Sequence, residues 1–267
     1  MPNVKRNPSQ VGPDARLVQQ MFADIAHRYD FLNHFLSLSV DRRWRRQAVR
    51  LIASRDPSPS DVCLDVCSGT GDLALEVHRT LGLPVVGSDF CHPMLTRSAG
   101  KIEKAGFVSA IRLIEADALN LPFHSSSFSF VTIAFGLRNL ERLDHGLAEL
   151  GRVLKPGGSL VILEFSRPTI PVIRELFGLY FSYVLPRLGA AISGKKDPYQ
   201  YLPSSVRQFP PQKELSALMR AAQFEEVGYR NLTGGIAALH WGRKGGDGDV
   251  NRELGTNAHL TARGGSL

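Results

Sequence analysis

Two strand ends, one rich in glycine and the other closed by an acid, carry the first recognisable chemistry in this chain. Leu64-Asp65-Val66-Cys67-Ser68-Gly69-Thr70-Gly71-Asp72 reads as apolar extended chain entering a tight turn, where Gly69 and Gly71 let the backbone approach a ligand. Residues 73–81 continue with a helical apolar pattern, so such a ligand would sit at a helix N-terminus. A second strand, Val85-Val86-Gly87-Ser88-Asp89, ends in an acid 18 positions after Gly71. That is close to the ~20-residue offset at which nucleotide-binding βαβ units place the acid that meets a ribose. The two oxygens of Asp89 suit the two ribose hydroxyls. The glycine turn alone would say little, since many strand-to-helix turns contain it; the acid at this spacing points to a nucleoside.

Nicotinamide dinucleotides share the layout, with a third small residue three positions after the second glycine, and Ala74 is compatible with them. The later order differs. After a third strand come Glu115-Ala116-Asp117-Ala118-Leu119, then Leu121-Pro122-Phe123 and a strand over 128–135, which puts Asp117 where an adenine amino group would meet an acid. This order resembles the class I S-adenosylmethionine-dependent methyltransferases, in which a nucleoside and a methionine tail fill the site without a diphosphate.

These residues need a sheet to position them. Strands alternate with helical stretches over 62–163, which argues for an α/β fold with a mostly parallel sheet and helices on both faces. Residues 1–55 read as an N-terminal helical lid, with Asp14 capping a helix over 15–26 and Asp41 capping another over 42–54. Asp56-Pro57-Ser58-Pro59-Ser60 links it to a core over 56–243. Within that core, about 170–205 is expected to be an inserted helical substrate cover. Its apolar and aromatic run over 171–192 approaches the length of a membrane span but is broken by Arg174, Glu175, Pro186 and Arg187. Residues 244–267 turn to glycine, charge and small polar groups and are expected to be a disordered tail.

Composition narrows the function classes. The chain has 267 residues, 43% of them hydrophobic, enough for one large core. Its net charge of +7 fits an anionic membrane face, nucleic acid or simple solubility. Arg42-Arg43-Trp44-Arg45-Arg46 concentrates that charge beside a single aromatic, a poor platform for stacking bases. Three cysteines, Cys63, Cys67 and Cys91, lack metal-ligand spacing and read as reduced thiols, and none follows a proline as in the covalent cytosine-C5 methylating enzymes. The N-terminus lacks a signal-peptide layout.

More specific segments follow the cofactor strands. Phe135-Gly136-Leu137-Arg138-Asn139 stands where an amino-directed nucleic-acid methyltransferase would carry Asp/Asn-Pro-Pro-aromatic. Lys155-Pro156-Gly157-Gly158 reads as a helix end and turn before a strand over 160–165. Then come Tyr199-Gln200-Tyr201-Leu202-Pro203-Ser204-Ser205 and Asn231-Leu232-Thr233-Gly234-Gly235. Together these segments resemble the C-methyltransferase family of menaquinone and ubiquinone biosynthesis, its demethylmenaquinone branch most of all, over about 17–244. Two places depart from that pattern: Ser68 replaces a usual Cys or Gly, and Cys91-His92-Pro93 replaces a polar, Glu-containing helix start.

The resemblance implies methyl transfer from S-adenosyl-L-methionine to a ring carbon of a polyprenyl naphthoquinol, with a benzoquinol of ubiquinone biosynthesis as the alternative. It implies Gly69, Thr70 and Gly71 at the cofactor turn, Asp89 at the ribose, Asp117 with Ala118 at the adenine, and Asp65 orienting the turn or meeting the methionine amine. It implies Arg138 stabilising the quinolate or ordering a water, and Tyr29 reaching the quinol from the lid. No metal and no nucleic-acid partner are expected. A cytoplasmic enzyme with transient contact to the inner membrane face is expected, and monomer and homodimer both stay open.

Overall fold

The computed structural model describes residues 12–30, 37, 39–180 and 197–246. The expected tail from residue 247 on, and the part of the expected cover over 181–196, lie outside the described residues.

Asp14 opens helix α1 (Ala15–Ile25), its carboxylate accepting the amides of Arg16 and Leu17. Helix α2 (Val40–Ala53) starts two residues earlier than its sequence suggests: Ser39, with φ 58°, is the N-cap. Asp41 is therefore no cap. It lies inside the first turn, where it accepts the Ser37 hydroxyl and pairs with Arg45.

A seven-stranded sheet follows, in the order β3-β2-β1-β4-β5-β7-β6. Strands β1 (Cys63–Val66), β2 (Val85–Asp89), β3 (Ile111–Glu115), β4 (Phe128–Ala134) and β5 (Leu154–Phe165) are parallel. Strand β7 (Ala237–Lys244) runs antiparallel to both β5 and β6 (Phe224–Leu232). The Lys155-Pro156-Gly157-Gly158 run does not precede β5 but is looped out within it. Phe128 pairs with Leu154 and Phe130 with Ser159, and Gly157 takes φ 76° in the bulge.

Helices cover both faces. On one side α2, α3 (Asp72–Leu81) and α4 (His92–Ala105) bury Ile52, Val77 and Ile102 against Cys63 and Val85. On the other, α5 (Leu143–Val153) and α8 (Gln212–Ala221) bury Leu147, Leu150, Leu215 and Met219 against Val131 and Ile162. Helix α2 thus belongs to the core layer, with Ala48 and Ile52 fully buried, and only α1 stands over the strand ends. Helix α6 (Pro171–Leu179) buries none of its residues, and α7 (Asp197–Gln208) carries Pro203 inside it. The strand order reverses between β1 and β4, and such a point leaves a crevice outside the carboxyl ends of the strands.

Candidate active site

A cleft opens at that reversal. It is bounded by Cys67 and Gly69 after β1, Asp89 and Phe90 after β2, Asp117 and Ala118 after β3, and Phe135 and Asn139 after β4. Phe22 and Tyr29 close it from above, their rings edge to face at 5.9 Å. Gln19 of α1 fastens this cover by donating to the Phe90 carbonyl at 2.6 Å.

Asp89 is the best-defined acid in the cleft. It is buried, and its Oδ2 accepts the Gly69 amide at 2.8 Å while Oδ1 accepts that of Cys91 at 2.9 Å. Burial pushes its pKa up to about 6, and those amide bonds hold it from rising further. Each oxygen keeps a lone pair for a hydroxyl donor. Gly69 itself has φ 55° and open space where a side chain would stand, so the backbone there is bare toward the cleft. Asp117 is exposed at the rim, accepting the Leu119 amide at 2.9 Å, and Ala118 beside it is buried.

The other residues of the turn work behind the cleft. Gly71 takes φ 80°, and a Cβ there would lie 2.2 Å from Ser98 Oγ, so this glycine lets α3 and α4 close up. The Thr70 hydroxyl donates to Asp30, just beyond Tyr29. Asp65, wholly buried on β1, accepts the Thr132 hydroxyl at 2.8 Å on Oδ1, while its buried Oδ2 has no hydrogen-bond partner among the described residues. Burial raises its pKa to about 7, opposed by Thr132 and by the charge of Arg45. Its free oxygen leaves acceptor capacity next to the turn.

Arg138 does not line this cleft. Its guanidinium pairs with Glu164 Oε1 at 2.8 Å, with 6% and 1% of the two side chains exposed, donates to the Phe135 carbonyl, and lies 5.5 Å from the centre of the Phe165 ring. A residue in the short 3₁₀ turn after β4 faces back onto the sheet, where Glu164 of β5 is the nearest counter-charge. Its neighbour Asn139 is the one that faces the cleft. Asn139 Oδ1 accepts the Tyr201 hydroxyl at 2.8 Å, and Tyr201 together with Arg138 lines a second, smaller cavity alongside. Burial lifts the Tyr201 phenol above its ordinary pKa, while the charge of Arg138 opposes that rise.

Sequence reasoning gave no site role to Phe22 and Met94, read Cys67 only as a reduced thiol, and met Asn139 and Tyr201 only within the segments that carry the resemblance. One signal now readable is backbone strain. Cys67 and Phe135, at the ends of adjacent strands β1 and β4, take φ 53° and 59°, conformations that non-glycine residues hold mainly where function demands them. His240, by contrast, is a packed strand residue. It bonds the Gln212 carbonyl at 3.1 Å, stacks on Tyr229 at 5.4 Å, and burial lowers its pKa to about 4.

Residues 9–244 match the ubiE/COQ5 methyltransferase family. The chain belongs to this family. It is 48% identical over 223 residues to the demethylmenaquinone methyltransferase of Thermus thermophilus, covering 83% of this chain and 99% of that protein. It is 44% identical over 230 residues to the ubiquinone/menaquinone biosynthesis C-methyltransferase UbiE of Geobacter sulfurreducens, covering 85% and 88%. Among solved structures, a S-adenosylmethionine-dependent methyltransferase of Thermotoga maritima, described as a possible histamine N-methyltransferase, superposes with TM-score 0.58 at 18% identity. That match covers 84% of this chain and 99% of the other, and it speaks to fold alone.

The fold is that of class I S-adenosylmethionine-dependent methyltransferases, and the cleft fits the methyl donor of the ubiE/COQ5 family. A buried acid with spare acceptor capacity, a bare glycine backbone at a helix start, and the Asp117-Ala118 rim are the groups that a ribose, a methionine tail and an adenine require.

Proposed function

We propose that this chain methylates a ring carbon of demethylmenaquinol, a polyprenyl naphthoquinol, in menaquinone biosynthesis. The observation that carries this reading is the cleft at the strand reversal, with Asp89 at its base and Tyr29 and Asn139 at its mouth, in a chain of the ubiE/COQ5 family. Bound S-adenosylmethionine supplies an electrophilic methyl on a sulfonium.

The protein's work is binding, alignment and water exclusion. Asp89 takes the ribose hydroxyls, the Gly69-Thr70-Gly71 backbone approaches the methionine portion, and Asp117 with Ala118 holds the adenine. Asp65, with an unpartnered buried oxygen, meets the methionine amine. On the acceptor side, Tyr29 and Asn139 meet the quinol oxygen next to the reacting carbon. Loss of that oxygen's proton drives electron density onto the carbon, which would attack the methyl as its bond to sulfur breaks and the thioether leaves; the ring then gives up its own proton and the oxygen regains one, for a net release of one proton. Arg138, balanced by Glu164, acts as a positioning residue: it holds the Phe135 carbonyl to which Asn139 also donates, and it lines the second cavity beside Tyr201.

A benzoquinol of ubiquinone biosynthesis is the second reading, favoured by the double name of the Geobacter relative. The polyprenyl tail of either substrate brings the enzyme to the inner membrane face, although no helix among the described residues is long and apolar enough to cross a bilayer.

The deciding experiment incubates the protein with methyl-labelled S-adenosylmethionine and, separately, reduced demethylmenaquinol and reduced demethyl-benzoquinol. Label in the naphthoquinol is the expected result. Label in the benzoquinol alone would replace the first reading with the second, and label in neither would overturn both.

A further inference from the structure

Six large hydrophobic side chains are exposed among the described residues: Leu17, Val108, Ile170, Val172, Leu176 and Leu179. Val108 lies in the turn before β3, at the far end of the sheet. The other five sit on α1 and on the segment that leaves β5, all at the end where the cleft opens. Water-exposed Leu and Val side chains scattered singly mean little, but five gathered at one end of a molecule mark a surface built for an apolar partner.

Helix α6 supplies three of them in a regular pattern, and Ile170 is its N-cap. Its inward face, Ile173, Phe177 and Tyr180, is partly covered. Ile173 and Ile170 pack over Gly234, where a Cβ would stand 2.3 Å and 3.4 Å from their Cδ1 atoms, and the Thr169 amide donates to the Gly234 carbonyl at 3.0 Å. The adjoining face, about 100° further round the helix, carries Val172, Leu176 and Leu179, which repeat at i, i+4 and i+7 with 64%, 62% and 56% of each residue exposed. Helix α6 is thus apolar on two sides, with only one of them used by the fold.

Basic groups flank the same turn. Trp44 of α2 donates to Thr233 Oγ1 at 2.9 Å, which ties the N-terminal end of α2 to the Thr233–Gly235 turn on which α6 rests. In this part of α2 Trp44 and Arg45 point inward, whereas Arg42 and Arg43 are exposed. On α6 itself the exposed Arg174 and Glu175 balance each other, so the positive charge beside this surface comes from α2. An apolar helix face beside exposed arginines, on a chain of net charge +7, complements an anionic bilayer surface, where side chains enter the acyl boundary and guanidinium groups meet phosphates.

From this juxtaposition we infer that Val172, Leu176 and Leu179 of α6 insert into the interface of an anionic phospholipid membrane, with Arg42 and Arg43 on its headgroups. This deepens the quinol reading above by naming the surface through which a membrane-dissolved substrate is met, but it concerns a lipid surface and holds for a bilayer free of quinol. The docked orientation turns the cleft mouth toward the membrane.

The test uses the full chain and quinone-free vesicles, either pure phosphatidylcholine or phosphatidylcholine with phosphatidylglycerol, in a sedimentation assay. Binding is expected only with the anionic vesicles and is expected to weaken with salt. Arg42→Glu with Arg43→Glu is expected to weaken it about tenfold or more. Val172→Ser, Leu176→Ser and Leu179→Ser together are expected to weaken it on the order of tenfold or more. Both variants should keep wild-type turnover on a short-chain, water-soluble naphthoquinol, which shows that they fold. Wild-type protein that ignores anionic vesicles, or a triple serine variant that binds them as wild type does, would overturn the inference. So would a concentration-dependent dimer that the serine variant dissolves, since α6 would then be covered by a second copy. Loss of methyl transfer to every quinol would defeat the proposed function while leaving the vesicle result readable.

Discussion

Thr70 donates its hydroxyl to Asp30, so the turn at the cofactor site grips the segment that carries Tyr29. Lys101 of α4 completes the junction, its ammonium reaching Asp30 Oδ2 at 3.1 Å and Thr70 Oγ1 at 3.3 Å and pairing with Asp72. A residue expected from its motif to face the cofactor thus holds the cover shut above it. The same contacts thus join the cover to the turn.

The coupling is measurable. Thr70→Val leaves Asp30 without its hydroxyl donor, and loss of a hydrogen bond to a charged group costs about 1.5 kcal/mol or more. Weaker binding of S-adenosylmethionine, by about tenfold, is expected in titration calorimetry. Thr70→Ser keeps the donor and should bind as wild type. Equal affinities for the two variants would show that the hydroxyl does not link cover and turn.

Asp89 gives a second handle, through pH. Its pKa, about 6, is raised above the ordinary carboxylate range by burial, and ribose hydroxyls donate to its ionised form. Cofactor affinity is therefore expected to be level above pH 6 and to fall about tenfold per unit below it. Asp89→Ala should lose about 1.5–3 kcal/mol of binding at pH 8 and should flatten the profile. An affinity unchanged from pH 5 to 8 in the wild type would remove Asp89 from the ribose.

The Arg138–Glu164 pair is buried, so breaking it from one side strands a charge. Arg138→Met is expected to destabilise the fold by about 3–5 kcal/mol, and the double replacement Arg138→Met with Glu164→Met to recover much of that loss. Urea unfolding curves would report both. A single variant as stable as wild type would mean that Glu164 finds water or another cation once the guanidinium is gone.

His240 makes an acid-side prediction. Its pKa is about 4 in the folded protein, below the ordinary value of about 6.5, so between these limits the unfolded chain binds the extra proton. Stability from this group is complete above pH 6.5 and falls as pH drops toward 4, by an amount on the order of 3 kcal/mol. Asp65 and Asp89, raised by burial, act in the opposite sense as pH rises toward 7 and 6, so the test compares proteins. His240→Gln should lose stability less steeply than wild type between pH 6.5 and 4. Parallel curves would assign the titration elsewhere.

The chain order of glycine turn, acid and strands was enough to set out the α/β fold and the places of Gly69, Asp89, Asp117 and Ala118, because these features are local. Strand spacing fixes them, and the sheet delivers strand ends to one crevice by simple geometry. Asp14 was likewise legible as a cap, since capping reaches only two or three residues. Asp41 misled because an acid at a helix start serves equally as a cap or as a partner for Arg45 one turn on, and only packing against α3 selects the latter. The Lys155-Pro156-Gly157-Gly158 run looked like a turn because its residues are turn formers, while β5 began before it through pairing with Phe128, a contact the local sequence does not encode. Thr70 reaching Asp30, Arg138 reaching Glu164 and Tyr201 reaching Asn139 span 40, 26 and 62 positions. Local sequence therefore determined which groups stand at the strand ends. The tertiary structure decided which of them face the ligand and which hold the others in place, because a side chain's partner is set by the element packed against it.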